Sequence, residues 1–153
     1  MTLFLAFLAG ILTGLRALTP IAITALAAHL NFLKVQYPLA WVGSIIAVII
    51  FVLAAIAELV ADKLPSTPSR TAPPGMISRI LMGGLTGACL ASAALAGLSL
   101  GALLGICGAV IGAYGGYQLR TRLVKALGAP DYVVAVGEDL LTICVSVWVV
   151  TRF

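Results

Sequence analysis

The chain has 153 residues, 62% of them hydrophobic and 9% charged, so it has room for one compact domain and too few charges to cover a water-facing surface, which takes about 25%. Its mean hydropathy of +1.18 makes lipid its solvent. The net charge is +4, but the basic residues are scattered between apolar runs and form no single patch, which reads as loop anchoring and argues against nucleic-acid binding. Cys89, Cys107 and Cys144 each lie inside an apolar run with no CxxC or Cys/His spacing, so neither a disulfide framework nor a zinc site is signalled. No Lys or Arg precedes the first apolar run, and that run continues past a signal-peptide core, so no cleavable leader is expected.

The pattern predicts an all-α polytopic bundle of about five hydrophobic segments, forming one integral-membrane domain over residues 1–153. The first run, Thr2 to Leu33, would be about 48 Å long as one helix against a hydrocarbon core of about 30 Å. It therefore tilts strongly or breaks near Thr19-Pro20, where proline removes a backbone donor. The second run, Leu39 to Ala61, spans plainly, with Tyr37 and Trp41 at interfacial depth. A proline-rich loop over residues 62–75 follows, expected in the cytoplasm. The third and fourth runs, roughly Ile77 to Leu95 and Leu98 to Leu119, form a hairpin turning near Gly97. Gly83 and Gly87, then Gly101, Gly105, Gly108, Gly112 and Gly116, fall close to one helix face, where another backbone can approach. The last run, Tyr132 to Val150, follows a turn at Gly128-Ala129-Pro130-Asp131, with Asp131 as a candidate cap.

With five spans, the N-terminus, the loop after Asp62 and the loop after Arg120 fall on one side, together with Lys63, Arg70, Arg79, Arg120, Arg122 and Lys125. That bias places the N-terminus in the cytoplasm. A re-entrant first run would instead reduce the number of full spans. The first pair of spans and the last pair then have opposite orientation about a connecting third. Each pair carries arginine first and a Glu/Asp pair second, an arrangement compatible with a small inverted repeat.

Charges inside such segments are expensive and face the bundle interior, one another or a wet cavity. Arg16, Glu58, Asp62, Glu138 and Asp139 are the candidate substrate- or ion-binding residues. Arg16 would hold an anionic group or neutralise a carboxylate, and Glu58 and Glu138 would bind a cation or proton. The competing reading is a structural Arg–Glu pair that fixes packing. Lys63, Arg70, Arg79, Arg120 and Arg122 are candidates for contacting a lipid headgroup or phosphate, or are simply positive-inside residues on a solvated loop. No nucleophile elbow, P-loop, HExxH or dinucleotide fingerprint occurs, so no catalytic residue, cofactor or metal is expected.

The segments GLRALTPIAITALAA (Gly14 to Ala28), ELVADKLPSTPSRT (Glu58 to Thr71) and GEDLL (Gly137 to Leu141) resemble an uncharacterised family of small bacterial membrane proteins, known only as a domain of unknown function. The resemblance spans nearly the whole chain and implies a bacterial inner-membrane location. It implies no activity. From the residues, the leading expectation is a small permease or channel-like protein moving an ion, proton or small polar solute. The alternatives are an enzyme or carrier acting on a lipid or polyprenyl phosphate through Asp62, Lys63, Arg70 and Arg79, or a structural subunit. A homo-oligomer is expected from the small number of spans, with the fourth-run glycine face as the candidate contact.

Overall fold

Without water, a backbone in lipid can satisfy its own polar groups by coiling into helices. The computed structural model describes residues 1–62, 72–127 and 131–153. Among them it has six α-helices and no strand: α1 (Thr2–Leu15), α2 (Thr19–His29), α3 (Ile45–Ala61), α4 (Pro73–Ala93), α5 (Leu98–Leu127) and α6 (Asp131–Val150). The last three are long and apolar enough to cross a membrane, while α1, α2 and α3 are apolar but shorter. Lys63 and Arg70, with most of the proline-rich loop and the turn at Gly128-Ala129-Pro130, lie outside the described residues.

Six helices appear where about five segments were expected because the first run divides. The break lies at Arg16, which is extended (φ −136°, ψ 112°). Pro20 is not the kink. It sits in the first turn of α2, where its missing N–H is not needed. Pro73 and Pro74 likewise open α4, which starts four residues before the predicted Ile77. A short 3-10 turn, Leu39–Gly43, replaces the start of the second run. Ser44 then caps α3, its hydroxyl accepting the Ala47 N–H at 3.2 Å. The α4–α5 turn has positive φ at Leu95 and Gly97 (55° and 87°), and glycine supplies the second at no steric cost.

Helix directions follow from the packing. Leu5, Ala6 and Ala9 of α1 share an apolar cluster with Ala27 of α2, Leu90 near the end of α4, and Val149 and Val150 at the end of α6. At the other end, the Gly14 carbonyl meets Arg79 near the start of α4. So α1 and α2 are two antiparallel arms of a helical hairpin, about 21 Å and 16 Å long, with Arg16 at the tip. Both termini lie at one end of the bundle, opposite Asp62 and the Arg120 end of α5. This corrects the expectation that the N-terminus shares a side with those loops. The cause is the extra reversal at Arg16.

The glycine stripe works inside the chain. A Cβ on Gly105 would lie 2.1 Å from the Gly83 carbonyl of α4, and one on Gly112 would lie 2.1 Å from the Ile11 carbonyl of α1. Helices α1, α4 and α5 therefore meet backbone to backbone, and Gly101, Gly105, Gly108 and Gly112 face helices of the same chain, not the second copy that had been expected there. The outer surface is instead apolar side chain, including Ile46, Ile49 and Leu53 of α3 and Leu140 and Leu141 of α6, as lipid contact requires.

By direction the chain divides three and three, α1–α3 opposing α4–α6, and not into two pairs about a connector. The packing does not follow that division. Helix α5 lies tightly on α1 and α4, whereas α2, which has no glycine, packs mainly on α3 and α6.

Candidate functional site

Ending one helix and starting another within the bundle leaves carbonyls of α1 and N–H groups of α2 without intrahelical partners. Charged side chains from other helices supply them. Glu58, near the end of α3, accepts the Ala17 N–H at 2.8 Å on Oε1 and the Leu18 N–H at 2.9 Å on Oε2. Its negative charge also meets the positive end of the α2 dipole. On the opposite side, Arg79 donates from Nε to the Gly14 carbonyl at 3.0 Å and from Nη1 to the Gly75 carbonyl at 2.9 Å. Arg79 was expected at the headgroups. It is buried, and α4 turns it inward because it shares the face of Gly83, Thr86, Gly87 and Leu90.

Between these fasteners sits Arg16, 1% exposed. Its Nη1 is 2.7 Å from Asp62 Oδ2 at the end of α3, and its Nη2 is 2.5 Å from Asp139 Oδ1 of α6. Asp139 is the ninth residue of α6, about 12 Å along the helix axis from its start. The pair thus lies well inside the bundle, where each charge costs about 2.5–3.5 kcal/mol on insertion scales.

Arg120 of α5, expected at a headgroup, also turns into the site. Its Nη1 lies 3.0 Å from Asp62 Oδ2 and 3.6 Å from Glu138 Oε2. Its Nε donates to Asp131 Oδ1 at 2.8 Å and its Nη2 to Asp131 Oδ2. Asp131, read from sequence as a helix cap, is in the structure the arginine's outer partner. Arg122, by contrast, is exposed on α5 and joins no part of this network among the described residues. His29 lies at the far end, its Nδ1 3.0 Å from the Gly43 carbonyl.

The structure thus brings Arg16, Glu58, Asp62, Glu138 and Asp139 together, as expected, and adds Arg79, Arg120 and Asp131. All five carboxylates of the sequence converge there. Asp62 is the shared element, since its Oδ2 faces both Arg16 and Arg120. Chemically, one guanidinium bridges two carboxylates on different helices, and a neighbouring guanidinium competes for one of them.

The family can now be stated. A family model described as Domain of unknown function (DUF4126) matches residues 3–151. The chain belongs to this family. No curated protein and no solved structure matches it. The match takes in every residue of the charged site, from Arg16 to Asp139.

Proposed function

We propose that this DUF4126 member is a small permease or channel-like protein of the bacterial inner membrane, moving an ion, a proton or a small polar solute past Arg16. The observation that carries the reading is the broken helix whose tip places Arg16 between Asp62 and Asp139. Non-helical backbone at membrane depth is tolerated where protein buries it or a wet cavity lines it, and transporter sites are built from such half-helix tips. A purely structural pair is a poor use of this chemistry, because apolar residues of similar volume pack as well or better.

In this reading Glu58 and Arg79 hold the break rigid, and Arg16, Asp62 and Asp139 are the working groups. Arg16 exchanges partners as the charge on either carboxylate changes, with Arg120 taking over Asp62. The end carrying Arg79, Arg120, Arg122 and Lys125 faces the cytoplasm by the positive-inside rule. Both termini then face the opposite side, which for the N-terminus is the reverse of what five full spans would give. Buried and carbonyl-bound, Arg79 has little left to offer a phosphate, which weighs against the lipid-phosphate alternative.

The test is ion and proton flux into proteoliposomes under imposed pH and potential gradients. Wild type is compared with Asp139→Asn and with the double variant Arg16→Gln/Asp139→Asn. Loss of a wild-type flux in both variants supports the reading. A flux that survives both rules the Arg16 centre out as its path.

A further inference from the structure

Among the described residues, Ser92 is buried at the far end, where it accepts the Gln36 N–H at 2.9 Å, and the other buried hydroxyls fall into two groups. Thr13, Thr24 and Thr86 each donate to the carbonyl four residues back, at 2.8, 2.8 and 2.7 Å, the usual refuge of a hydroxyl in a membrane helix. Thr19, Thr142 and Ser146 do not. They are 5%, 0% and 4% exposed, and their Oγ atoms have no hydrogen-bond partner among the described residues. The Nε of Arg16 is in the same condition.

These orphans are not scattered. Asp139, Thr142 and Ser146 are spaced three and four residues apart on the buried face of α6, so they rise in a line above the charged site. The two hydroxyls sit about 4.5 Å and 10.5 Å along the axis from Asp139. Thr19 opens α2 beside Arg16, and it lines one groove together with Ile143 of α6, which puts it level with Thr142. Buried hydroxyls without protein partners are the setting in which internal water is retained. Above Ser146 the polar character stops. Leu5, Leu33, Leu90 and Val149, 3%, 1%, 0% and 1% exposed, close the far end with an apolar plug.

We infer that the cargo of the Arg16 centre is the proton, carried along a short water file held by Thr19, Thr142 and Ser146 and gated by the Leu5–Leu33–Leu90–Val149 plug. The inference rests on the permease reading and names its substrate. Asp139 takes up the proton, and its carboxyl then releases Arg16 Nη2, which stays held through Nη1 on Asp62. The groups that face this exchange are Arg16 and Glu58 at the break, Asp62 of α3, Arg79 of α4, Arg120 of α5, and Asp131 and Glu138 of α6. Along the file each oxygen accepts one proton and gives up another. Only O–H bonds break and form, and no oxidant or reductant is needed.

The experiment uses the full chain in proteoliposomes containing a pH-sensitive dye, with a potassium diffusion potential driving flux. Thr142→Val and Ser146→Ala remove the hydroxyls with little change in shape. Together they are expected to cut proton flux by about tenfold or more without lowering the melting temperature, and Thr142→Ser is expected to restore it. Wild-type proton flux that the double variant leaves unchanged overturns the file but not the permease. A sodium or potassium flux that Asp139→Asn abolishes, with no proton flux, overturns the proton as cargo and leaves the permease standing. Absence of flux for protons and for both cations overturns the proton as cargo and narrows the permease reading to other ions and polar solutes.

Discussion

Glu58 Oε2 accepts the Leu18 N–H at 2.9 Å, so the end of α3 is fastened to the start of α2 across forty residues of sequence. With Oε1 on the Ala17 N–H, one carboxylate does for the break what two backbone carbonyls do for an unbroken helix. Glu58→Ala therefore leaves two donors stranded at membrane depth, at about 1–3 kcal/mol each. The expected outcome is a clear drop in thermal unfolding temperature in detergent. Glu58→Gln keeps one acceptor and falls between wild type and Glu58→Ala. Equal melting of all three would show that the contact does not hold the break.

Arg16 and Asp139 are expected to be strongly coupled. Either single substitution, Arg16→Gln or Asp139→Asn, removes one partner of a buried pair and costs about 3–5 kcal/mol. The double variant is expected to regain part of that loss, with an interaction energy of about 1–3 kcal/mol. A double-mutant cycle on detergent-solubilised protein measures it. Simple additivity would mean the two side chains do not meet.

The glycine contacts make a sharper contrast. Gly105→Val forces a side chain against the Gly83 carbonyl, where even a Cβ would stand 2.1 Å away. The cost is at least about 1–3 kcal/mol of overpacking, read as lost monodispersity and a lower melting temperature. Gly115 lies on the same helix with nothing within 4 Å of its added Cβ. Gly115→Ala is expected to be neutral or slightly stabilising.

Topology can be tested by thiol labelling. In a background with Cys89, Cys107 and Cys144 replaced by Ala, Lys34→Cys and Ser99→Cys are expected to react with an impermeant reagent from one face. Arg122→Cys and Lys125→Cys are expected to react from the other. Positive-inside placement assigns Arg122 and Lys125 to the cytoplasm, so intact cells should label positions 34 and 99 but not 122 or 125. Thr2→Cys is expected to label with positions 34 and 99, and its labelling from the face of position 122 would refute the α1–α2 hairpin.

Much of this was legible before any coordinates, for identifiable reasons. Spans α4 to α6 follow from apolar length alone, and the convergence of Arg16, Glu58, Asp62, Glu138 and Asp139 follows from the cost of charge in lipid. The position of the break was not legible, because proline is as compatible with a helix start as with a kink, and Pro20 turned out to be the former. Arg79 was misread for its position near Pro73-Pro74. Its phase with Gly83 and Gly87 was the available signal, and it placed the side chain inward. The Asp139, Thr142, Ser146 spacing was also present in the sequence, but which hydroxyls bond their own helix is decided by rotamers that no pattern shows.

The uneven distribution of glycine also divides the molecule mechanically. Helices α1, α4 and α5 touch largely through backbone atoms and alanine methyls, with few side chains between them that can change rotamer, so they act as a stiff slab. Helix α2 packs on α3 and on α6 through side chains beside an apolar groove of about 210 Å³, and α6 touches α5 only sparingly. Arg16 lies on the seam, with its backbone leaving the slab and its guanidinium bridging α3 and α6. Any rocking of the loose half against the stiff half must therefore stretch one of its two ion pairs, which makes the arginine both hinge pin and latch.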